Sequence, residues 1–164
     1  MIIQRRDFIK LALQGLGIIA ITPYLKTAQA AAGIDKITLS NEVWKTRLTS
    51  QQYSILREEG TERAFTSSLL DEHREGMFVC VACDFPLFPS KYKFDSGTGW
   101  PSFFDALPGH LETKTDTKLL MQRTEYHCAR CGGHHGHVFE DGPKPTGLRY
   151  CNNGAVLKFI AKES

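Results

Sequence analysis

Two short cysteine pairs, "CVAC" (Cys80 and Cys83) and "CARC" (Cys128 and Cys131), constrain this chain more than any other feature. Each Cys-x-x-Cys turn presents two sulfurs to one ion with little backbone strain, and four thiolates at about 2.3 Å satisfy tetrahedral zinc. The insert between Cys83 and Cys128 is far longer than in a compact zinc ribbon, so a single ion would clamp two distant strands of a larger fold. Such a site contributes about 10 to 16 kcal/mol of apparent binding energy to folding, enough to dominate a small domain. Two disulfides are the competing assignment, one that an oxidising compartment favours. The fifth cysteine, Cys151, then stands alone.

The compartment can be read from the start of the chain. "RRDFIK" precedes the apolar run "LALQGLGIIAI", and "AQAAAG" supplies Ala28 and Ala30 in the small-x-small spacing of a signal-peptidase site. The apolar run is too short for a comfortable membrane span. Residues 1–30 are therefore expected to be a cleavable export signal cut after Ala30. Arg5 and Arg6 followed by Asp7, Phe8, Ile9 and Lys10 resemble the twin-arginine type, whose translocon carries folded proteins. A general secretory signal or an uncleaved anchor is the alternative. The mature chain would work in a bacterial periplasm, and zinc acquired in the cytoplasm would shield four thiolates before any oxidant reached them. Of the formal charge of +2, the leader holds Arg5, Arg6, Lys10 and Lys26 against Asp7, so its removal leaves −1. That balance excludes a basic nucleic-acid module built on the same four cysteines.

At 164 residues the chain has room for one domain with a core, expected over 39–162 after a short linker at 31–38. In "LSNEVWKTRLTSQQYSILREEG", Ser40 is placed to cap one short helix, and Thr49 with Gln52 forms a capping box for a second that Gly60 would end. From Met77 onward Gly, Pro and aromatics multiply. Short β-favouring runs appear in "MFVCVAC", "TEYHCARC", "HVFED" and "AVLKFIA", separated by turns such as "DSGTG" and "DGPKPTG". The pattern predicts an antiparallel β domain with a helical lead-in.

Cys151 lies in "RYCNNG". On a strand Arg149, Cys151 and Asn153 would share one face, where a guanidinium favours thiolate and an amide offers donors to an oxygen. A buried inert thiol is the plain alternative. In "GGHHGHVF", strand alternation puts His135, His137 and Phe139 on one face and His134 on the other, so His134 and His135 would not both point inward.

Together, "FDSGTGWPSF", the two cysteine pairs, "GHVFEDGPKPTG" and "RYCNNG" resemble the methionine-R-sulfoxide reductases, the B type, from about "LSNEVWK" to "AVLKF". The resemblance implies a mainly β fold of two antiparallel sheets and one structural zinc on Cys80, Cys83, Cys128 and Cys131. It implies Cys151 as nucleophile and roles for Trp100, His137 and Asn153, with Arg149 beside the thiol. The chain departs from the family at His135, where an apolar residue is usual, and at Asn152 and Gly154, where an aliphatic residue and a serine are usual.

The chemistry implied suits these side chains. A sulfoxide sulfur is electrophilic, so a soft nucleophile and a proton donor convert it to the thioether and leave a sulfenic acid on the cysteine. Many family members place a recycling cysteine where this chain has Thr98, so Cys151 is expected to depend on an external thiol or a thioredoxin-like reductant. The expected partners are thus methionine sulfoxide in proteins or peptides, that reductant and the export translocon; the protein is expected to be a monomer. A catalytic zinc hydrolase built from His134, His135, His137 and Glu140 or Asp141 is the other enzyme class the residues allow.

Overall fold

A computed structural model describes residues 33–117 and 122–163; the expected signal peptide lies outside them. Two short helices come first. Helix α1 (Asn41–Arg47) is capped by the Ser40 hydroxyl, which accepts from Val43 N, and α2 (Ser50–Glu58) by Thr49. The expected capping box is formed: Gln52 N donates to Thr49 Oγ1 at 3.2 Å and Thr49 N to Gln52 Oε1 at 3.1 Å. Helix α2 ends one residue before the anticipated stop, because Glu59 takes the left-handed conformation and Gly60 N closes back on Ser54 O. Trp44, Ile55 and Leu56 are the buried face of this lead-in. Before α1, Ile37 N donates to Arg130 O at 2.8 Å, and Ile37 and Leu39 pack on the core.

Among the described residues nine strands follow: β1 (Gly76–Cys80), β2 (Pro86–Pro89), β3 (Lys93–Phe94), β4 (Ser102–Phe103), β5 (Leu111–Asp116), β6 (Arg123–Cys128), β7 (His134–Phe139), β8 (Arg149–Asn152) and β9 (Leu157–Ala161). They form two antiparallel sheets, ordered β2-β1-β9 and β3-β4-β8-β7-β6-β5. The mainly β architecture with a helical lead-in is thus as expected. Phe78 and Phe88 from the small sheet meet Phe103 and Tyr126 from the large one, with Phe88 stacked on Phe103 at 4.2 Å and Phe78 edge-on to it at 5.0 Å. These four rings are fully buried, and each such side chain removes apolar surface worth about 1.5 to 3 kcal/mol.

Strand β7 departs from simple alternation. Tyr126 pairs with Gly136 but His127 pairs with His134, so His135 is an extra residue opposite β6. The bulge brings His134 to the side of His137, ring centroids 5.5 Å apart, and leaves both His134 and His135 buried. The expectation that only one of these histidines points inward is therefore corrected. Gly136 permits the turn of the strand, since a Cβ there would overlap the Cys151 carbonyl oxygen. Gly154 is similarly confined, because a side chain would overlap Ser67.

His135 and Asn152, two of the positions at which this chain departs from the family pattern, are both fully buried. Their side-chain nitrogens and oxygen have no protein partner at good hydrogen-bond geometry. The Asn152 amide still lies close enough to act on the imidazole, but burial outweighs it and pulls His135 down from 6.5 to about 4. His135 is neutral in the fold. Between pH 4 and 6.5 the unfolded chain binds the extra proton, so stability from this residue is full above 6.5 and falls as pH drops toward 4. Replacing the pair together by His135→Leu and Asn152→Val is expected to stabilise the domain by about 1 to 3 kcal/mol at pH 7, and by more at pH 5. Thermal unfolding at the two pH values checks this; an equal or smaller gain at pH 5 would contradict it.

Candidate active site and metal centre

The four cysteines converge from two different sheets. Cys80 ends β1 and Cys83 follows in its turn, while Cys128 ends β6 and Cys131 lies in the turn entering β7. Each turn closes on its first cysteine: Asp84 N donates to Cys80 O and Gly132 N to Cys128 O, both at 2.8 Å. The Sγ atoms are 3.7 Å apart for Cys80 and Cys131 and 3.6 Å for Cys83 and Cys128, and all four lie within 4.8 Å of one another. A disulfide needs about 2.05 Å, whereas four sulfurs at about 2.3 Å from a central ion stand about 3.8 Å apart. The spacing fits zinc and excludes disulfides. Cys131, bonded first by Cys128 and then by Cys80 and Cys83, is held far below the usual thiol range, while Cys80, bonded first to Cys128, is pushed far above it. Four sulfurs this close share too few protons to be comfortable as thiols, which is the donor set a divalent cation takes.

A second group, Glu125, His127 and His134, also lies within 4.8 Å. Glu125 Oε1 is 2.5 Å from His134 Nδ1 and 2.7 Å from His127 Nε2. Those are hydrogen-bond lengths; two such ligands on one zinc would stand about 3.3 Å apart. Among the described residues His135 and His137 join no group of three such side chains, and Asp141 is taken by Arg149.

Cys151 sits on β8 directly opposite His137 on β7 and Ser102 on β4. Side chains paired across antiparallel strands share a face, so the thiol and the imidazole open into the same cavity of about 210 Å³, with Trp100, Phe139, Arg123 and Asn153 also on its wall. His137 Nε2 lies 2.8 Å from Asp116 Oδ2, which also accepts from Arg123 Nη2 at 2.7 Å. Asp116 is buried and fixes one edge of the ring, the arrangement in which a carboxylate orients an acid or base.

The thiol itself is higher, not lower, than an ordinary cysteine. Burial raises it, and this outweighs the opposing pull of the Arg149 charge and of hydrogen bonds from Thr98 and Arg149. Arg149 gives less than its sequence position suggests because Asp141 binds it through two bonds of 2.8 Å, while the guanidinium lies 4.4 Å above Phe139. The guanidinium favours the thiolate as expected, but burial prevails and the side chain rests as a thiol. Thr98, at the position of the missing second cysteine, is joined through Ser96 to Ser102 by hydroxyl bonds of 2.8 Å each.

Asn153 lines the cavity, but its amide is mostly committed. Oδ1 accepts from Glu62 N and Nδ2 donates to His135 O, both at 2.9 Å. Glu62, which no sequence pattern singled out, is the hub here. Its buried carboxylate accepts from Gly154 N at 2.5 Å and Ala155 N at 2.8 Å, and its carbonyl accepts from Trp100 Nε1 at 3.2 Å. One residue therefore ties the indole, the asparagine and the loop after the nucleophile together. Asp116 was missed for the same reason, since His137 lies 21 residues away, and Arg123 matters only through Asp116; the rule that a buried acid must be paired is the one signal for either.

The sequence also has known relatives. The SelR domain family matches residues 48–161. The chain is similar to a peptide methionine sulfoxide reductase MsrB of Thiobacillus denitrificans, 56% identical over 121 residues that span 73% of this chain and 92% of that protein. It is similar to the MsrB of Agrobacterium fabrum, 52% identical over 125 residues, 76% and 93% of the two chains. It is also similar to the chloroplastic peptide methionine sulfoxide reductase B1 of Arabidopsis thaliana, 46% identical over 156 residues, 94% and 77% of the two.

Two outcomes follow from these distances and shifts. Elemental analysis should find one zinc per chain, and Cys128→Ser should lose the metal and the cooperative unfolding transition; a variant that keeps its melting temperature without zinc would contradict a structural role. For Cys151, alkylation by iodoacetamide should have a midpoint above that of free cysteine. Arg149→Met removes a lowering cause, so its rate at pH 8 should fall. A faster rate would show that Arg149 does not act on the thiol.

Proposed function

The chain belongs to the SelR-domain family of MsrB peptide methionine sulfoxide reductases, and on that premise we propose that it reduces the R epimer of protein-bound methionine sulfoxide, repairing oxidised proteins. The observation that carries the reading is the cross-strand pair of Cys151 and His137 in one cavity with Trp100. The indole, held by Glu62, offers an apolar face to the methyl group. His137, oriented by Asp116, takes the Cys151 thiol proton and delivers it to the oxygen as the Cys151 sulfur attacks the sulfoxide sulfur, a role typically worth about 10² to 10⁴ in rate. Oxygen passes to Cys151. The sulfoxide sulfur gains two electrons and leaves as the thioether, and the cysteine sulfur loses two and becomes the sulfenic acid. Asn153 fixes the loop beyond Cys151 and forms part of the wall that the sulfoxide meets. Zinc on Cys80, Cys83, Cys128 and Cys131 serves the fold, about which these strands are organised.

The sulfenic acid is recycled from outside the chain. Among the described residues the other four cysteines form the metal centre, and Thr98 occupies the loop beside the thiol. Two equivalents of a small thiol, or one thioredoxin-like dithiol, return the cysteine and release water and a disulfide. The export reading belongs to the same proposal. The twin-arginine pattern at Arg5 and Arg6 and the Ala28 to Ala30 cleavage site support a periplasmic enzyme delivered folded by its translocon, acting as a monomer.

With dithiothreitol as donor, the R epimer of a peptide sulfoxide should be consumed and the S epimer left, and Cys151→Ser should abolish turnover with zinc retained. In one turnover without reductant, Cys151 should gain one oxygen by intact mass and react with dimedone, while the zinc stays bound. Thr98→Cys should divert this product to a disulfide. An internal disulfide in the unaltered chain would instead make one of the four metal ligands the resolving thiol.

A further inference from the structure

Phe65 is the most exposed large apolar side chain among the described residues, at 71%. It also holds a backbone conformation that a bulky residue rarely adopts, with φ at 64° in the turn after Glu62. Such strain persists only where surrounding structure fixes it, and it gathers at functional surfaces. Here the fixing contacts are visible. Phe65 N donates to Gly99 O at 2.8 Å, and three residues earlier Glu62 O accepts from Trp100 Nε1 at 3.2 Å. The segment is thus laced to the loop that carries Trp100. Phe65 lies flat on Gly99, where an added Cβ would come within 2.7 Å of the ring. Both sides of the contact are shaped for an aromatic that the fold leaves open to solvent.

What lies beside Phe65 identifies its occupant. A cavity of about 230 Å³ runs between Phe65, Leu70, Phe94 and Pro101, and Trp100 forms part of its wall as well as part of the wall around Cys151. The two cavities are neighbours across one indole. A free sulfoxide needs only the first, but a polypeptide whose sulfoxide reaches Cys151 must carry its flanking residues past the rim, and on this side it meets Phe65, Leu70, Phe94 and Pro101. Asp71, His73, Lys93 and Asp95 line the same cavity, so its apolar groups are set among charged ones.

We propose that Phe65 and the cavity beyond Trp100 form a subsite for an apolar side chain adjacent to the methionine sulfoxide in a polypeptide substrate. The inference rests on the reductase reading above and adds a preference to it: methionines that oxidise inside apolar sequence, exposed when a protein opens, are taken before free methionine sulfoxide or sulfoxides in polar sequence. A single methylene in an enclosed apolar pocket discriminates by about 10- to 200-fold, and on an open shelf a whole side chain gains about as much as the lower end of that range.

The test compares three R sulfoxides with dithiothreitol as donor: N-acetylmethionine sulfoxide methylamide, a pentapeptide with leucine on both sides of the sulfoxide, and the same peptide with serine. The unaltered enzyme should favour the leucine peptide over the serine peptide by about tenfold in kcat/KM, through KM. Phe65→Gly should bring that ratio close to one while its melting temperature stays level or rises, because glycine accepts the positive φ without strain. A merely structural Phe65 would instead lower stability and depress all three substrates together, which overturns the proposal, as does an unaltered enzyme without preference. A concentration-dependent dimer that Phe65→Gly abolishes, with the preference intact, would assign the surface to a second copy of the chain and also overturn it. No turnover of the acetylated sulfoxide would sink the reductase reading itself, an outcome distinct from the loss of preference.

Discussion

Four sulfurs hold the structure together at the place where two sheets must be joined. Cys80 and Cys83 belong to the end of the small sheet, and Cys128 and Cys131 bracket the turn between two strands of the large one. A core of four buried rings fixes how far apart the sheets stand, but stacking alone is tolerant of sliding. A tetrahedral donor set is not, because each ligand's position is determined by the other three. Cys131 is followed three residues later by His134 and the bulge of β7, so the register of the strand that carries His137 starts at the metal centre. The catalytic geometry is downstream of the sulfur cluster.

The second dependence is on a single inserted residue. Cross-strand pairing would place His137 opposite Cys151 in any regular ladder, but the extra residue at His135 also turns His134 to His137's side and buries its Nδ1 on Glu125. His137 is therefore packed from behind by a histidine that is itself held by a carboxylate, and from its edge by Asp116. The cost falls on His135 and Asn152, a polar pair enclosed where the family pattern favours apolar side chains. Buried polar groups of this kind usually destabilise, and their retention beside a catalytic strand fits the general tendency for local rules to fail at functional sites.

Much of this was legible in the residues. The cysteine spacing specified the metal centre, the Ser40 and Thr49 caps specified the helices, and the runs around Cys80, Cys128, His137 and Leu157 marked four strands. What stayed hidden has definite physical causes. Strand β2 reads "PLFP" and escapes a propensity reading because proline is tolerated at both ends of an edge strand. Strands β3 and β4 are two residues long, and only their neighbours give them a ladder. The bulge in β7 is invisible to a pattern of period two, with Gly136 as its one outward sign. Glu62 acts on Gly154 from 92 residues away, and no local window spans that distance. The state of Cys151 was legible in part: the Arg149 guanidinium that favours its thiolate is visible in sequence, whereas the capture of that guanidinium by Asp141 and the burial that outweighs it are not.

A nucleophile without a second thiol also dictates the order of events. Thr98 offers Cys151 a hydroxyl on one side, and that hydroxyl leads to Ser96 and Ser102 within the protein. The other approach is the cavity walled by Trp100 and Asn153, which the substrate also uses. A reductant attacking the sulfenic sulfur in line must enter by that same mouth, so the repaired methionine has to leave first. The two half-reactions then share one site in turn, the condition for ping-pong kinetics. Features that hold a polypeptide on the rim would speed the first half and delay the second. Weak, shelf-like contact beside Trp100 suits this compromise better than a deep peptide groove, because an enzyme that must exchange a protein for a thiol at every turnover gains little from binding either tightly.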